Sequence, residues 1–402
     1  MIILDPIAAL VVSFIFLGVM LYKRVSIGIA LFATAILMSF VSMKPLEVAN
    51  ALLKTTTDPI TISLVAVTFG IILLSLLYKE TGALQSLSRS FSGLLRNPKL
   101  VASALPAIIG LLAVPGGALM SAPLVDSEVE KLGLNEGKKT YVNVWFRHII
   151  FPVYPMSQII ILAATLTETP ITSIIISQIP VVAAMIAVGY FVALKKTSVA
   201  DDFVTPKTEF LTNSKNFLRW FSPILVMILT VALFAVDVSI AAFVGIAMLL
   251  LITKPHQHAF AKTFSNMTLY EIPLAAYGAM LLQKVTMASG ISVALGHAIA
   301  GLNLNVVVLL AVLPAALGVL IGSPSASIAI SVPIIAGIVS FTPNHASLLY
   351  ISAFFGYLAA PTHLCLILTA KYFRCPLNKA YKFLLPSLAV AFAVALLVYH
   401  IL

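Results

Sequence analysis

Residues Leu105–Leu124 read LPAIIGLLAVPGGALMSAPL, and residues Leu313–Ile334 read LPAALGVLIGSPSASIAISVPI. Each opens on Leu-Pro, runs apolar for a few turns, breaks at small residues beside a proline, and resumes; the two Leu-Pro pairs stand 208 positions apart. Proline removes a helical hydrogen bond and glycine raises the entropic cost of a helix, so Pro115, Gly116 and Gly117 in one stretch and Gly322–Ser325 in the other interrupt any helix that reaches them. The first break leaves arms of about 15 and 8 residues in the segment between Lys99 and Asp126. Neither arm can cross ~30 Å of hydrocarbon, but both can dip in and return.

Hydrocarbon is the relevant solvent by composition. Of the 402 residues 61% are hydrophobic and 9% charged, and the mean hydropathy is +1.09, values of a bilayer protein and not of a soluble domain. Apolar stretches of spanning length recur at 7–22, 25–43, 59–78, 141–167, 171–194, 218–236, 238–253, 271–288, 347–370 and 381–402. The first is followed at once by a second and lacks a small-residue cleavage site, so it reads as a retained helix. Cys365 and Cys375, ten apart, suit neither a disulfide framework nor a metal site. The fold class expected is an all-α polytopic membrane protein.

Set against itself at the same offset, the chain pairs Gly70 with Gly278, Gly82 with Gly290, Gly93 with Gly301 and Gly110 with Gly318. With small gaps, VSI at Val25 matches VSI at Val238, and PMSQIIIL from Pro155 matches PTHLCLIL from Pro361. Two homologous halves follow: 1–195, with a hairpin at 100–125 and a proline-broken helix at 141–167, and 217–402, with a hairpin at 304–339 and a broken helix at 347–370. A polar linker, 196–216, joins them. Five spans in each half, an odd number, make the second half enter the membrane inverted, an arrangement found in secondary transporters. The hairpins are expected to be re-entrant, although 304–322 is long enough to span alone.

Charge placement gives the orientation. With the N-terminus outside, the inner loops carry every Lys and Arg except Lys44, Lys54, Lys284 and Arg147, the bias expected of cytoplasmic loops. Both termini are then outside the cytoplasmic membrane and the linker inside. The net charge of +10 is explained by orientation, so no nucleic-acid partner is expected.

Irregular backbone at mid-membrane depth survives only where protein or a water-filled cavity satisfies its polar groups, so the breaks define the candidate site. The hairpin tips supply Pro115, Gly116, Gly117 and Ser121, and Ser323, Ser325 and Ser327. FPVYPMSQ at Phe151–Gln158 adds Pro155, Ser157 and Gln158; APTHL at Ala360–Leu364 adds Thr362 and His363. Amides at a half-helix N-terminus favour a carboxylate, while freed carbonyls and hydroxyls can ligate Na⁺. For any one residue, kinking and close packing are the simpler explanation; the duplicated set is what argues for a site. Arg147 either binds an anionic substrate through a bidentate contact or snorkels to the inner headgroups. His363 suits proton coupling because its reference pKa lies near neutrality, the alternative being a neutral imidazole bonded to a backbone carbonyl. Glu271 and Lys284 mark the ends of one span, and His256 and His258 lack further ligands for a metal.

The segments VPGGALMSAPLVD (Val114–Asp126) and YVNVWFRHIIFPVYP (Tyr141–Pro155) resemble an uncharacterised prokaryotic integral-membrane family placed near the gluconate permeases. The five-helix repeat, with its hairpin before a proline-broken helix, resembles the ion transporter superfamily of gluconate permeases, C4-dicarboxylate carriers, divalent anion/sodium symporters and several Na⁺/H⁺ antiporters. The architecture is similar over nearly the whole chain, the motifs only at the hairpins and broken spans. The resemblance implies secondary active transport by a homodimer in which a hairpin-bearing domain moves against a scaffold. One departure is that neither PGGALMS nor SPSASIA reproduces the Ser-Asn-Thr hairpin motif of the divalent-anion symporters.

No H-E-x-x-H, no serine within G-x-S-x-G, no pair of membrane aspartates and no G-x-x-x-x-G-K-[ST] occurs, which argues against an enzyme and against ATP-driven transport. The expectation is a secondary active transporter that moves a small organic anion, a carboxylate or sugar acid, coupled to Na⁺ or H⁺ and needing no cofactor. A cation/proton antiporter on the same fold is the alternative, and a non-transporting membrane scaffold comes after it. All 14 acids lie in loops or at span ends, where an antiporter would place some at its ion site.

Overall fold

The computed structural model describes residues 4–23, 25–95, 97–112, 118–195, 197, 207–234, 236–291, 293–294 and 305–401, and these are helical almost throughout, with no strand among them. Asp5 starts the first helix by accepting from the Ile7 and Ala8 amides. That helix, α1 (Pro6–Tyr22), is followed by α2 (Ile27–Ser42), the short α3 (Pro45–Thr57), the long apolar α4 (Pro59–Glu80) and α5 (Ala83–Leu94). Helices α6 (Pro98–Gly110) and α7 (Ala118–Lys131) pack on one another as the first hairpin. Its tip, with Pro115, Gly116 and Gly117, lies outside the described residues.

The first broken span is α8 (Glu136–Ile149), a 3-10 turn at Phe151–Val153, and α9 (Gln158–Thr167). Helix α10 (Ile171–Gly189) runs on through a π turn to Leu194; then come α11 (Lys207–Phe234), α12 (Val238–Thr253), α13 (Gln257–Phe264) and α14 (Thr268–Ala288). Helix α15 (Val306–Ile321) stops at Gly322, whose φ of 69° needs no Cβ to avoid. The chain then doubles back as α16 (Pro324–Ala336), packed against α15. The second broken span is α17 (Pro343–Ala359) and α18 (Leu364–Tyr372), and α19 (Leu377–Ile401) closes the chain.

Five helical segments are long and apolar enough to cross a membrane: Pro59–Glu80, Glu136–Thr167, Ile171–Leu194, Pro343–Tyr372 and Leu377–Ile401. Shorter apolar helices, among them Pro6–Tyr22 and Val238–Thr253, accompany them. Large apolar side chains such as Val11, Ile15, Ile176, Ile179, Leu251 and Leu397 stand exposed on the outside, as expected where the solvent is lipid. The protein is an all-α polytopic membrane protein. The two broken spans are 61% buried in their apolar windows, against 28% for Ile171–Leu194 and Leu377–Ile401. The interrupted helices, with α4 at 67%, therefore form the interior, and α10 and α19 pack together outside them.

Several boundaries differ from the hydropathy reading. Helix α7 extends to Lys131, so the arms of the first hairpin are 13 and 14 residues and not about 15 and 8; Pro123 is accommodated within the helix, and the polar run after it continues helical. Helix α8 begins at Glu136, where Asn135 accepts from the Lys138 amide, and α17 begins at Pro343, capped by Thr342. The last ten positions of the expected linker belong to α11. Polar caps and charged first turns carry a helix beyond its apolar stretch, which hydropathy alone does not register.

Helix crossings are close where glycines meet. A Cβ on Gly318 of α15 would stand 2.6 Å from the Ala353 carbonyl oxygen and 2.8 Å from the Tyr357 nitrogen of α17. A Cβ on Gly110 of α6 would collide with the Arg147 carbonyl of α8. At the helix ends Lys262 pairs with Glu80 at 2.7 Å, Lys284 with Asp58 at 2.7 Å, Lys379 with Glu136 at 2.5 Å and Lys139 with Asp126 at 3.3 Å. Each of these pairs joins two residues that lie on the same side in the charge-based threading.

Candidate functional site

Two polar clusters form where the interruptions meet. Pro152 and Pro155 stop α8 from running into α9, and Pro361 stops α17 from running into α18. The second broken span packs on the first break: the Tyr350 hydroxyl, in the middle of α17, donates to the Phe151 carbonyl at 2.9 Å. The His148 and His363 rings lie edge to face with centroids 4.9 Å apart, and the Tyr357 ring lies 4.1 Å from His363.

Arg147, in the last turn of α8, is 2% exposed. Its Nη2 reaches the Leu112 carbonyl at 3.5 Å, a long contact, while Nε and Nη1 have no hydrogen-bond partner among the described residues. Leu112 follows α6 directly, so the guanidinium lies at the base of the first hairpin tip. A buried guanidinium does not fit the snorkelling alternative; at the close α6–α8 crossing it is the Arg147 backbone carbonyl that Gly110 meets. One turn earlier on the same face, Asn143 donates to the Ala118 carbonyl at 3.2 Å and to Thr369 Oγ1 at 2.9 Å. It ties the start of α7 to α18 while its own Oδ1 is left without a partner.

The second cluster surrounds a cavity of about 80 Å³ between the first broken span and the second hairpin. Gln158, Ser323 and Ser325 line it, opposite Thr68 of α4 and Ala275 and Ala276 of α14. The Gln158 Nε2 is buried without a partner. Ser323 also borders a wider, mainly apolar cavity of about 960 Å³, as does the exposed Thr362. Pro155 is half-buried.

The hydroxyls of Ser121, Ser327 and Ser323 are used within the fold, and that of Ser157 is not. Ser121 is buried in α7 and donates to the Ala118 carbonyl of its own helix at 3.2 Å. Ser327 donates to the Pro314 carbonyl at 2.6 Å and so clasps the two arms of its hairpin. Ser323 accepts from the Ala326 amide as the N-cap of α16. Ser157 is buried beside the Tyr350 hydroxyl without a well-formed hydrogen bond. These serines do not converge on one point with Arg147: Gln158, Ser323 and Ser325 gather in one place, Arg147 and His363 in another.

Spacing alone gave neither cysteine a further ligand; in the fold Cys365 lies beside two histidines. One nitrogen of His148, one of His363 and the Cys365 sulfur are all buried and within 4.8 Å of one another. His148, Asn143, Tyr357 and Cys365 are not among the residues that the sequence places in the site. Asn143 and Arg147 share a helix face at i and i+4, and Cys365 follows His363 by two, so part of the cluster was open to a search for polar residues near the breaks.

Fold and site together define the class: a polytopic helical membrane protein whose two interrupted helices enclose a buried guanidinium and two imidazoles. The chain belongs to the family described as a protein of unknown function, DUF401, whose model matches residues 7–402. No curated protein matches the sequence.

Proposed function

We propose that the protein is a secondary active transporter of a small organic anion, a carboxylate or sugar acid, coupled to Na⁺ or H⁺. The observation that carries this reading is Arg147. An isolated charge in a low-dielectric interior costs several kcal/mol unless it is paired, and among the described residues no carboxylate pairs with this guanidinium. A partner that arrives with the substrate resolves the imbalance, and a carboxylate matches the guanidinium fork. The position beside the first hairpin fits substrate capture at an interrupted helix.

Related element patterns in the two halves, α6 to α9 and α15 to α18, support an inverted repeat and alternating access by a hairpin-bearing part. Same-side pairing of the ionic contacts supports the threading with both termini outside the cytoplasmic membrane. A cation/proton antiporter is the second reading; the described acids sit at helix ends and in loops, which disfavours it.

The test is a binding titration of purified protein with gluconate, lactate, succinate and citrate, with and without Na⁺, at two pH values. Arg147→Gln should weaken the anion that binds by roughly 30-fold or more, since removing one partner of a buried ion pair costs about 2–5 kcal/mol. Its thermal stability should hold or rise, because an unpaired charge is removed. A bound anion that Arg147→Gln retains with the parent affinity would overturn the assignment.

A further inference from the structure

We propose that His148, His363 and Cys365 form a binding site for a soft monovalent metal ion, Cu(I), that clasps the two broken helices together. The ligand set is two imidazoles and one thiol, all buried, with one ligand atom from each within 4.8 Å of the others. Metal bonds to imidazole nitrogen and thiolate sulfur run about 2.0–2.3 Å, which separates ligand atoms around a three-coordinate ion by roughly 3.5 Å. The cluster therefore needs to contract by only about 1 Å to close on an ion.

His148 is already oriented for this. Its Nδ1 lies 2.7 Å from the Val144 carbonyl; a carbonyl only accepts, so Nδ1 carries the proton and Nε2 keeps its lone pair. A ring fixed through one nitrogen and free to ligate through the other is the usual arrangement of a metal-binding histidine. His363 is fully buried, and neither of its ring nitrogens makes a well-formed hydrogen bond. A buried imidazole with nothing to bond is costly, and a metal ion relieves that cost.

Charge selects the ion. Binding replaces the Cys365 thiol proton, which leaves to solvent, by a sulfur–metal bond. With Cu(I) the thiolate and the two neutral imidazoles make an uncharged unit. With Zn²⁺ the unit keeps a positive charge in an apolar interior next to the Arg147 guanidinium, and no carboxylate stands in the cluster to offset it. Soft thiolate ligation and low coordination number favour Cu(I) as well. The site would join the end of α8 to the start of α18 across the interface where the breaks meet. The assignment rests on this geometry alone and is independent of whether the protein carries an anion.

The experiment uses the full-length protein in detergent under anaerobic, reducing conditions, with Cu(I) supplied as its bicinchoninate complex and Zn²⁺ titrated in parallel. The parent protein should withdraw one equivalent of Cu(I), and its melting temperature should rise. Altering an outer-shell partner already costs about 10–100-fold in affinity, so loss of a ligand in Cys365→Ser or His363→Gln should cost at least about 100-fold. Cys375→Ser should bind like the parent. X-ray absorption on the loaded parent protein, which needs no variant to fold, should show one sulfur and two nitrogen neighbours. Three results would each overturn the proposal: no withdrawal of Cu(I) by the parent, a Cys365→Ser variant that withdraws it equally well, or one equivalent of Zn²⁺ bound where Cu(I) is refused.

Discussion

Replacement of Gly318 by alanine tests the close approach of α15 and α17. The new Cβ would stand 2.6 Å from the Ala353 carbonyl oxygen, 2.8 Å from the Tyr357 nitrogen and 3.0 Å from the Gly356 carbonyl carbon. All three are backbone atoms, so no side chain can rotate away; the helices must separate. Overpacking of this kind costs about 1–3 kcal/mol, and rigid neighbours put it at the upper end. Alanine returns about 1 kcal/mol through its higher helix propensity, which leaves a net loss of about 1–2 kcal/mol. For a chain of 402 residues that loss corresponds to a fall in melting temperature of roughly 1–2 °C, measured by intrinsic fluorescence in detergent. The matched control is Gly18→Ala in α1, where a Cβ meets nothing within 4 Å; it should melt at or above the parent. A Gly318→Ala variant as stable as the parent, or a Gly18→Ala variant equally damaged, would refute the argument from backbone contact.

Asn143→Ala should lose about 1–3 kcal/mol, because the bond to the buried Thr369 hydroxyl goes and the Ala118 carbonyl keeps only its bond from Ser121; chemical denaturation with Asn143→Asp as a comparison separates hydrogen bonding from volume. Ser327→Ala should lose about 1 kcal/mol with the bond to Pro314, and faster hydrogen exchange confined to the α15–α16 turn would report the opened hairpin. Burial pushes the Asp58 carboxyl up, but the hydrogen bonds from Lys284 and Thr61 and the Lys284 charge outweigh it and hold the group below its ordinary 3.8. A depressed folded-state value means that the contribution is fully present above the unfolded value and lost as pH falls through the folded one. Thermal stability should therefore drop below about pH 4 in the parent more than in Asp58→Asn, which keeps an N-cap side chain but no charge; equal acid sensitivity would exclude Asp58 as a contributor.

The spans were legible because hydrocarbon demands long apolar runs: 59–78 lies within α4, and 238–253 coincides with α12. The breaks were legible too, since Pro155 and Pro361 come with polar neighbours in the middle of apolar runs, whereas Pro123 and Pro314 are carried inside helices. Helix ends were not, because Asn135 and Thr342 act through single cap hydrogen bonds that leave no mark on average hydropathy. Which serines face the cavity was not legible either: Ser121 satisfies its hydroxyl on its own helix, an option open to any helical serine, while Ser323 and Ser325 line the cavity. Arg147 could be placed at membrane depth from spacing, but whether it points to headgroups or inward depends on how the other helices pack around it. The His148–His363–Cys365 cluster joins residues from separate halves of the chain, and no local pattern connects them.

The bond from Tyr350 to the Phe151 carbonyl closes a gap of 199 residues along the chain. During synthesis at about 5–20 residues per second, the first break enters the bilayer about 10–40 s before its partner exists. Throughout that interval the half-made protein holds an interrupted helix whose backbone has no companion. Membrane insertion factors and quality-control proteases thus meet a polar, unfinished segment in every copy, and a chain that terminates near residue 195 presents it permanently. The first half alone should accordingly be cleared from the membrane, and supplying residues 207–402 as a separate polypeptide should rescue it.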